Sequence, residues 1–182
     1  MNFLLVNYEY PPLGGGAGNA TMFIARSMAQ AGHRPVVLTS AFGDLPEHEQ
    51  TGGVTVHRVK ARRRSPDRSD QLQMASFTAA ALRVVRRIAD AERIDAAIAF
   101  FTIPSAPVTW WLWRTTRVPY AISLRGGDVP GHVPGLRAIH HALTPFRRTM
   151  LRRAIAVVAN SDSLARLAQR ADRLPVRMIP NG

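Results

Sequence analysis

The chain has 182 residues, 46% of them hydrophobic and 20% charged, which suits a globular domain with a sizeable core and excludes wholesale disorder. Lysine and arginine number 24 against 12 acidic residues, and Lys60 is the only lysine, so long-range attraction favours anionic partners: phosphorylated metabolites, acidic lipid headgroups or nucleic acid. The chain has no cysteine, so disulfide scaffolds, thiolate metal sites and cysteine nucleophiles are excluded.

The start, Met1-Asn2-Phe3-Leu4-Leu5-Val6, lacks a basic leader and meets Asn7 and Tyr8 before a signal-peptide core is complete, so it reads as a first strand over 2–7. Phe23, Ile24, Ser27, Met28 and Ala31 then share one face of a helix that Gly32 can end, and strands are expected at 34–39 and 54–59. The polar stretch Arg62-Arg63-Arg64-Ser65-Pro66-Asp67-Arg68 predicts a mobile surface loop. Leu72, Ala75, Ala79, Leu82, Val85 and Ala89 make a second helical stripe, on a helix of about six turns. Further strands are expected at 95–100, 119–124, 154–159 and 175–179. Those beginning at Asp95 and Ala154 are apolar almost throughout, as strands covered on both faces are.

Trp110, Trp111 and Trp113 fall in a helix after Pro107 and are expected on its buried side, with the alternative that one of them lines an acceptor groove. The apolar stretch from Ile94 to Trp113 holds Asp95, Pro104 and Pro107, which rules out a clean membrane span and predicts a soluble chain; with no cysteine it fits a reducing compartment, and the expectation is a cytoplasmic protein, free or peripheral on the cytoplasmic face of the membrane. Arg137, His140, His141, Arg147, Arg148, Arg152 and Arg153 crowd a helical region that Pro145 is expected to interrupt. Interleaved with Leu136, Ile139, Leu143, Phe146 and Leu151, they form either a surface that can rest on anionic lipid or a plain solvated face. His140 and His141 are adjacent, so on a helix they point about 100° apart and make no metal pair; no metal is expected. Alternating strands and helices predict an α/β fold: one Rossmann-like, doubly wound, mostly parallel sheet with helices on both faces, filling 1–182.

Between the first strand and the first helix lies Tyr8-Glu9-Tyr10-Pro11-Pro12-Leu13-Gly14-Gly15-Gly16-Ala17-Gly18-Asn19. Glycine at 14, 15, 16 and 18 lets backbone approach a ligand, and a helix N-terminus favours an anion, so a phosphate or pyrophosphate is expected here; the alternative is an ordinary glycine-rich turn. The dinucleotide fingerprint fails in both registers, with Asn19 or Thr21 at its third glycine, and the second strand ends Val37-Leu38-Thr39-Ser40 without an acid for a ribose diol. A nucleotide P-loop is excluded because the only lysine is distant.

Tyr10-Pro11-Pro12-Leu13-Gly14-Gly15, followed by a helix and Ala31-Gly32-His33-Arg34-Pro35-Val36-Val37, resembles the opening of family 4 (group 1) glycosyltransferases, retaining nucleotide-sugar enzymes of two facing Rossmann-like domains (the GT-B fold). Pro119 to Asp128 is similar to that family's strand ending in His-Gly-x-Asp, Val158-Ala159-Asn160-Ser161 to its Asn-Ser strand end, and Ile179-Pro180-Asn181-Gly182 to the Pro-Asn-Gly closing the first domain. The resemblance implies that Gly14, Gly15 and Gly16, with Asn160 and Ser161, face the donor phosphate or the acceptor. By the same resemblance Arg125 and Asp128 flank the transfer centre and Asn181 belongs to the hinge. Arg125 stands where the family has histidine, and its permanent charge can clamp an anion, but it cannot trade protons near neutral pH. Plainer roles are a salt bridge from Arg125 to Asp128, and shaping of the Gly126-Gly127 turn by Asp128.

The family binds most of its nucleotide sugar in a second, C-terminal domain carrying two glutamates seven residues apart. Glu9, Glu47, Glu49 and Glu92 do not have that spacing, so the resemblance implies a truncated product, a split enzyme or an excised domain, poorly active alone. The implied activity is transfer of a sugar from a nucleotide-sugar substrate to a glycan or lipid-linked acceptor, as in cell-envelope polysaccharide synthesis. No cofactor is implied; an anionic membrane surface and a separate C-terminal half are the implied partners. The competing expectation is a basic Rossmann-like module that binds anionic membrane or nucleic acid without catalysis, betrayed by steep salt dependence.

Overall fold

The structure, a computed structural model, describes residues 1–66, 69–132 and 137–181, with the side chains of 137–141 outside the description. Its elements in chain order are β1 (Asn2–Val6), α1 (Gly16–Gln30), β2 (Arg34–Ser40), β3 (His48–Thr51), β4 (Val54–Val59), α2 (Gln71–Ala91), β5 (Ala96–Phe100), α3 (Ala106–Thr116), β6 (Tyr120–Leu124), α4 (Arg137–Arg153), β7 (Ala156–Ala159), α5 (Asp162–Asp172) and β8 (Arg177–Met178). The strands form one sheet in the order β3-β4-β2-β1-β5-β6-β7-β8. β3 and β4 pair antiparallel, and the remaining neighbours pair parallel. The α/β, doubly wound architecture is thus the one its alternating elements announce.

Alternation along the central strands divides the core. Leu5, Val37, Val54 and Val56 pack with Ala25 of α1 on one face. Leu4, Val6, Val36 and Leu38 face the other way, into the cluster that holds Phe77, Ala81 and Val85 of α2, Leu112 of α3, Met150 of α4 and Ala168 of α5. The chain winds outward from β1 to β2 and β4, then α2 carries it back across to β5 on the far side of β1. That reversal opens a crevice at the carboxyl ends of β1 and β5, where open α/β sheets receive ligands.

Several local expectations change. In α1 the buried residues are Gly18, Ala20, Thr21 and Ala25; of the expected face, Ile24 and Met28 pack partly buried against the core, while Phe23 is 59% exposed. The reason is close approach: a Cβ on Gly18 would lie 2.9 Å from the carbonyl oxygen of Leu13, so the helix turns its smallest side chains inward. In α2 the expected stripe holds at Val85 and Ala89, which are buried, but Leu72 is 80% exposed and Ala75 and Ala79 are exposed; the first half of the helix buries Phe77 and Ala81 in their place, since a phenyl ring has far more apolar area to bury than an alanine. Asp70 caps α2 by accepting from Gln73 N at 2.8 Å.

The loop at 62–66 is tied down rather than free. Arg63 donates to the carbonyl oxygens of Tyr8, Ser65 and Pro66, and the Pro66 oxygen also accepts from Gly14 N at 2.8 Å. Asp67 and Arg68, also in that expected loop, lie outside the described residues. Pro145 lies inside α4, which continues through it to Arg153. Arg147, expected on a basic surface, is 1% exposed and pairs with Asp172 of α5 at 2.8 Å, because α4 turns this face onto α5. Burial pushes the Asp172 carboxyl above its usual range although Arg147 pulls it down.

Candidate site at the carboxyl edge of the sheet

Five strand ends build the site. The loop after β1 brings Glu9 and leads into the opening turn of α1 with Gly16 and Ala17; Phe101 follows β5, Arg125 follows β6, Asn160 follows β7 and Asn181 follows β8. Together they line a cavity of about 310 Å³, near the lower end of the range for small-ligand sites.

Within the glycine loop the residues divide by task. Gly14 has φ +81°, its amide is engaged by Pro66, and a Cβ there would sit 2.6 Å from the Cβ of Glu9, so this glycine serves the fold. Gly15 and Gly16 are different: a Cβ on either would meet no atom within 4 Å. Gly15 is the N-cap of α1 and no side chain caps that end. The first-turn amides of a helix have no acceptor within it, and the positive end of the helix dipole adds to them. An acid stands at this end: Glu9 Oε2 lies 3.5 Å from Gly15 N. Burial, and then Glu9, push the neighbouring Tyr8 phenol up, so it stays protonated.

Arg125 reaches across the cavity mouth. Its Nη1 donates to Asn181 Oδ1 at 2.5 Å and its guanidinium lies 4.8 Å from the centre of the Phe100 ring. Its buried Nε has no hydrogen-bond partner. Burial lowers its pKa while Asp128 opposes the shift, and a guanidinium keeps its charge through such a change. Asp128 meets Arg125 through the main chain. Oδ1 accepts from the amides of Arg125 at 3.0 Å and Gly126 at 3.1 Å, and Oδ2 accepts from Thr102 N at 2.7 Å and Thr102 Oγ1 at 3.0 Å. At 5% exposure the carboxylate faces inward and joins the ends of β5 and β6.

Asn160 is half-buried and lines the cavity, whereas Ser161 accepts from Leu164 N at 3.3 Å and so caps α5. The structure therefore gathers Gly16, Arg125, Asn160 and Asn181 around one cavity, with Gly15 at its helix end; Gly14, Asp128 and Ser161 support them from behind. Sequence reasoning overlooked Glu9 and Phe101. Their signal is position alone, each just beyond the end of a central strand.

Two features lie elsewhere. Pro107, Trp110, Trp111, Leu82, Arg83 and Phe146 line an apolar groove of about 320 Å³. There Trp111 is 43% exposed and lines a groove rather than the core, while Trp110 and Trp113 pack partly buried against the core. Leu136 and the side chains of Arg137, Ile139, His140 and His141 lie outside the described residues; among the described side chains of α4, Arg152 and Arg153 are exposed cations and Arg148 is half-buried. No helix among the described residues is long and apolar enough to cross a membrane. The second feature, among the described residues, is a side-chain cluster: His48, His57 and Glu92 place one ligand atom each within 4.8 Å of one another.

The family profile described as "Glycosyl transferase 4-like domain" matches residues 15–182. No curated protein matches the chain. Among solved structures, sucrose-phosphate synthase from Thermosynechococcus elongatus superposes with a TM-score of 0.78 at 16% identity, over 98% of this chain and 47% of that one. The catalytic domain of starch synthase IV from Arabidopsis thaliana, bound to ADP and acarbose, gives 0.66 at 12% identity, over 100% and 51%. A glycosyltransferase from Rickettsia africae gives 0.64 at 11% identity, over 98% and 42%. The chain thus spans about half the length of these proteins, and at such identities the likeness is one of fold.

Proposed function

Because the chain belongs to the glycosyl transferase 4-like domain family, we propose that it is the acceptor-side domain of a retaining glycosyltransferase whose nucleotide-sugar donor is completed by a facing domain. The observation that carries this reading is the cavity in which the open end of α1, Arg125, Asn160 and Asn181 meet at the reversal point of the sheet.

In this reading the donor's diphosphate lies between the first-turn amides of α1 and the guanidinium of Arg125. As the sugar–phosphate bond breaks, negative charge grows on the leaving oxygens, and fixed donors aimed at them lower the barrier without reorganising. Arg125 contributes charge and not a proton, since a guanidinium does not titrate in this range. Asp128 acts through Arg125, holding the main chain at Arg125 and Gly126 so that the side chain leaves β6 in one direction. Glu9 accepts hydrogen bonds from hydroxyls of the sugar or acceptor, and leaves the Gly15 amide when a phosphate arrives. Acceptors that are glycans or lipid-linked sugars suit the exposed Trp111 and Phe146 beside cationic α4, which offer an apolar and basic face to a membrane.

Calorimetry tests the reading. Nucleoside diphosphates should bind more tightly than the matching monophosphates, and Arg125→Met should weaken the diphosphate by about tenfold, the worth of one charge-assisted contact. Equal weak binding of any polyanion, steeply salt-dependent and indifferent to Arg125, would instead mark a basic binding module without catalysis.

A further inference from the structure

We propose that His48, His57 and Glu92 form a site for a divalent metal ion of the zinc type, which clips the edge hairpin of the sheet to the end of α2. The residues come from three elements. His48 of β3 and His57 of β4 are direct partners in the antiparallel register, so their rings rise from the same face, with centroids 4.8 Å apart. That face looks toward α2, whose C-cap residue, Glu92, brings Oε1 to 3.0 Å from His57 Nε2. The site shares no residue with the cavity at the carboxyl edge.

Ligand type and geometry both fit. Two imidazoles and a carboxylate are a borderline-soft N₂O set, and three protein ligands with a fourth position open to water is a common zinc arrangement. Zinc bonds of about 2.0–2.1 Å at tetrahedral angles separate ligand atoms by about 3.4 Å. The His57–Glu92 pair is already that close; His48, exposed at the sheet edge, has a ligand atom within 4.8 Å of both, and a metal ion would need its ring to close that gap by rotating about its side-chain bonds. Glu92 is held for the purpose: its amide donates to Ile88 O, and Asn2 Nδ2 donates to the carbonyl oxygens of Glu92 and Arg93. The carbonyl end of α2 adds the negative end of its dipole.

The surrounding cations leave room for the charge. Arg58 lies on the opposite face of β4 and pairs with Glu49 at 2.8 Å, and Lys60 pairs with Glu47 at 2.8 Å. Arg83 and Arg87 line the adjoining cavity of about 540 Å³ from exposed positions on α2, where solvent and salt screen them. A His57–Glu92 hydrogen bond and the edge-to-face contact of the two rings account for the groups in pairs; a metal ion is the one partner that would engage all three at once.

The chain, stripped with a chelator, is titrated with zinc chloride by calorimetry and with cobalt(II) by its visible absorption. The expected result is one equivalent bound, weakened at least tenfold by each of His48→Ala, His57→Ala and Glu92→Gln, and unchanged in the double variant His140→Gln/His141→Gln. Because His48 is exposed, His48→Ala should keep the far-ultraviolet circular dichroism of the parent, so its loss of metal reads directly on ligation. Zinc should also slow amide exchange in β3 of the parent and not of the variants. Failure to bind either ion at micromolar concentration, or binding that ignores all three substitutions, overturns the proposal.

Discussion

Replacing Asp128 isolates the part of the fold that aims Arg125. Its carboxylate receives four donors, three of them main-chain amides at the ends of two different strands. Asp128→Ala leaves those amides without an acceptor in a region where the side chain is 5% exposed. A buried orphan costs about 1–3 kcal/mol, and water entering the vacated space recovers part of it, so the net loss should be about 3–5 kcal/mol. Against a typical domain stability of about 5–15 kcal/mol that is a large share, roughly a thousandfold in the folded-to-unfolded ratio. Asp128→Asn keeps one acceptor oxygen but turns an NH₂ toward two donors, and should cost about 2–4 kcal/mol. Urea denaturation followed by circular dichroism gives both values, and hydrogen exchange should show the amides of Thr102, Arg125 and Gly126 opening first. If Asp128→Asn falls within about 0.5 kcal/mol of the parent and those amides keep their protection, the carboxylate does not hold the two strand ends and the positioning argument fails.

The glycine loop predicts a contrast. Gly14→Ala should destabilise the protein by at least about 1 kcal/mol, for its positive φ and the Glu9 clash, whereas Gly15→Ala, with open space at its Cβ, should leave thermal stability unchanged and weaken nucleotide binding. Glu9→Gln removes the carboxylate beside the Gly15 amide and should tighten binding of inorganic pyrophosphate severalfold by calorimetry; weaker binding would mean that Glu9 helps the anion. Between α4 and α5, Asp172→Ala should cost about 3–5 kcal/mol in denaturant titrations by stranding Arg147, while the pair Arg147→Met with Asp172→Leu should recover most of it. Because burial raises the Asp172 pKa above its unfolded value, its contribution to stability grows as pH falls through the folded-state pKa, and Asp172→Asn should remove that acid-side gain.

The central strands were readable because a strand buried on both faces must be apolar almost throughout, as Val36 to Leu38 and Ala96 to Phe100 are. By the same logic β3 was invisible: His48-Glu49-Gln50-Thr51 is a polar edge strand with no buried residue, held by its ladder to β4. Helix α5 carries its burial on Leu164 and small residues such as Ala165 and Ala168, and it went unread. The face of α2 was legible at Val85 and Ala89 but not at Ala75 and Ala79, since a methyl group says little about which side is buried, and Phe77 takes the buried place there. At the candidate site, the positions of Arg125, Asn160 and Asn181 followed from strand ends and motif order. The inward turn of Asp128 did not, because it depends on Thr102, 26 residues away in sequence. The same limit hid His48, His57 and Glu92, which only the edge hairpin and the end of α2 bring together.

The account stands most directly on where a nucleotide sugar touches this chain, and amide chemical-shift mapping of the isotopically labelled protein during titration with nucleoside-diphosphate sugars answers that. The largest and earliest shifts should fall on Gly15 to Gly18, Arg125 to Gly127 and Asn160, and should vanish in Arg125→Met. Shifts confined to the aromatic groove beside α4, or spread over exposed arginines and erased by moderate salt, would contradict it.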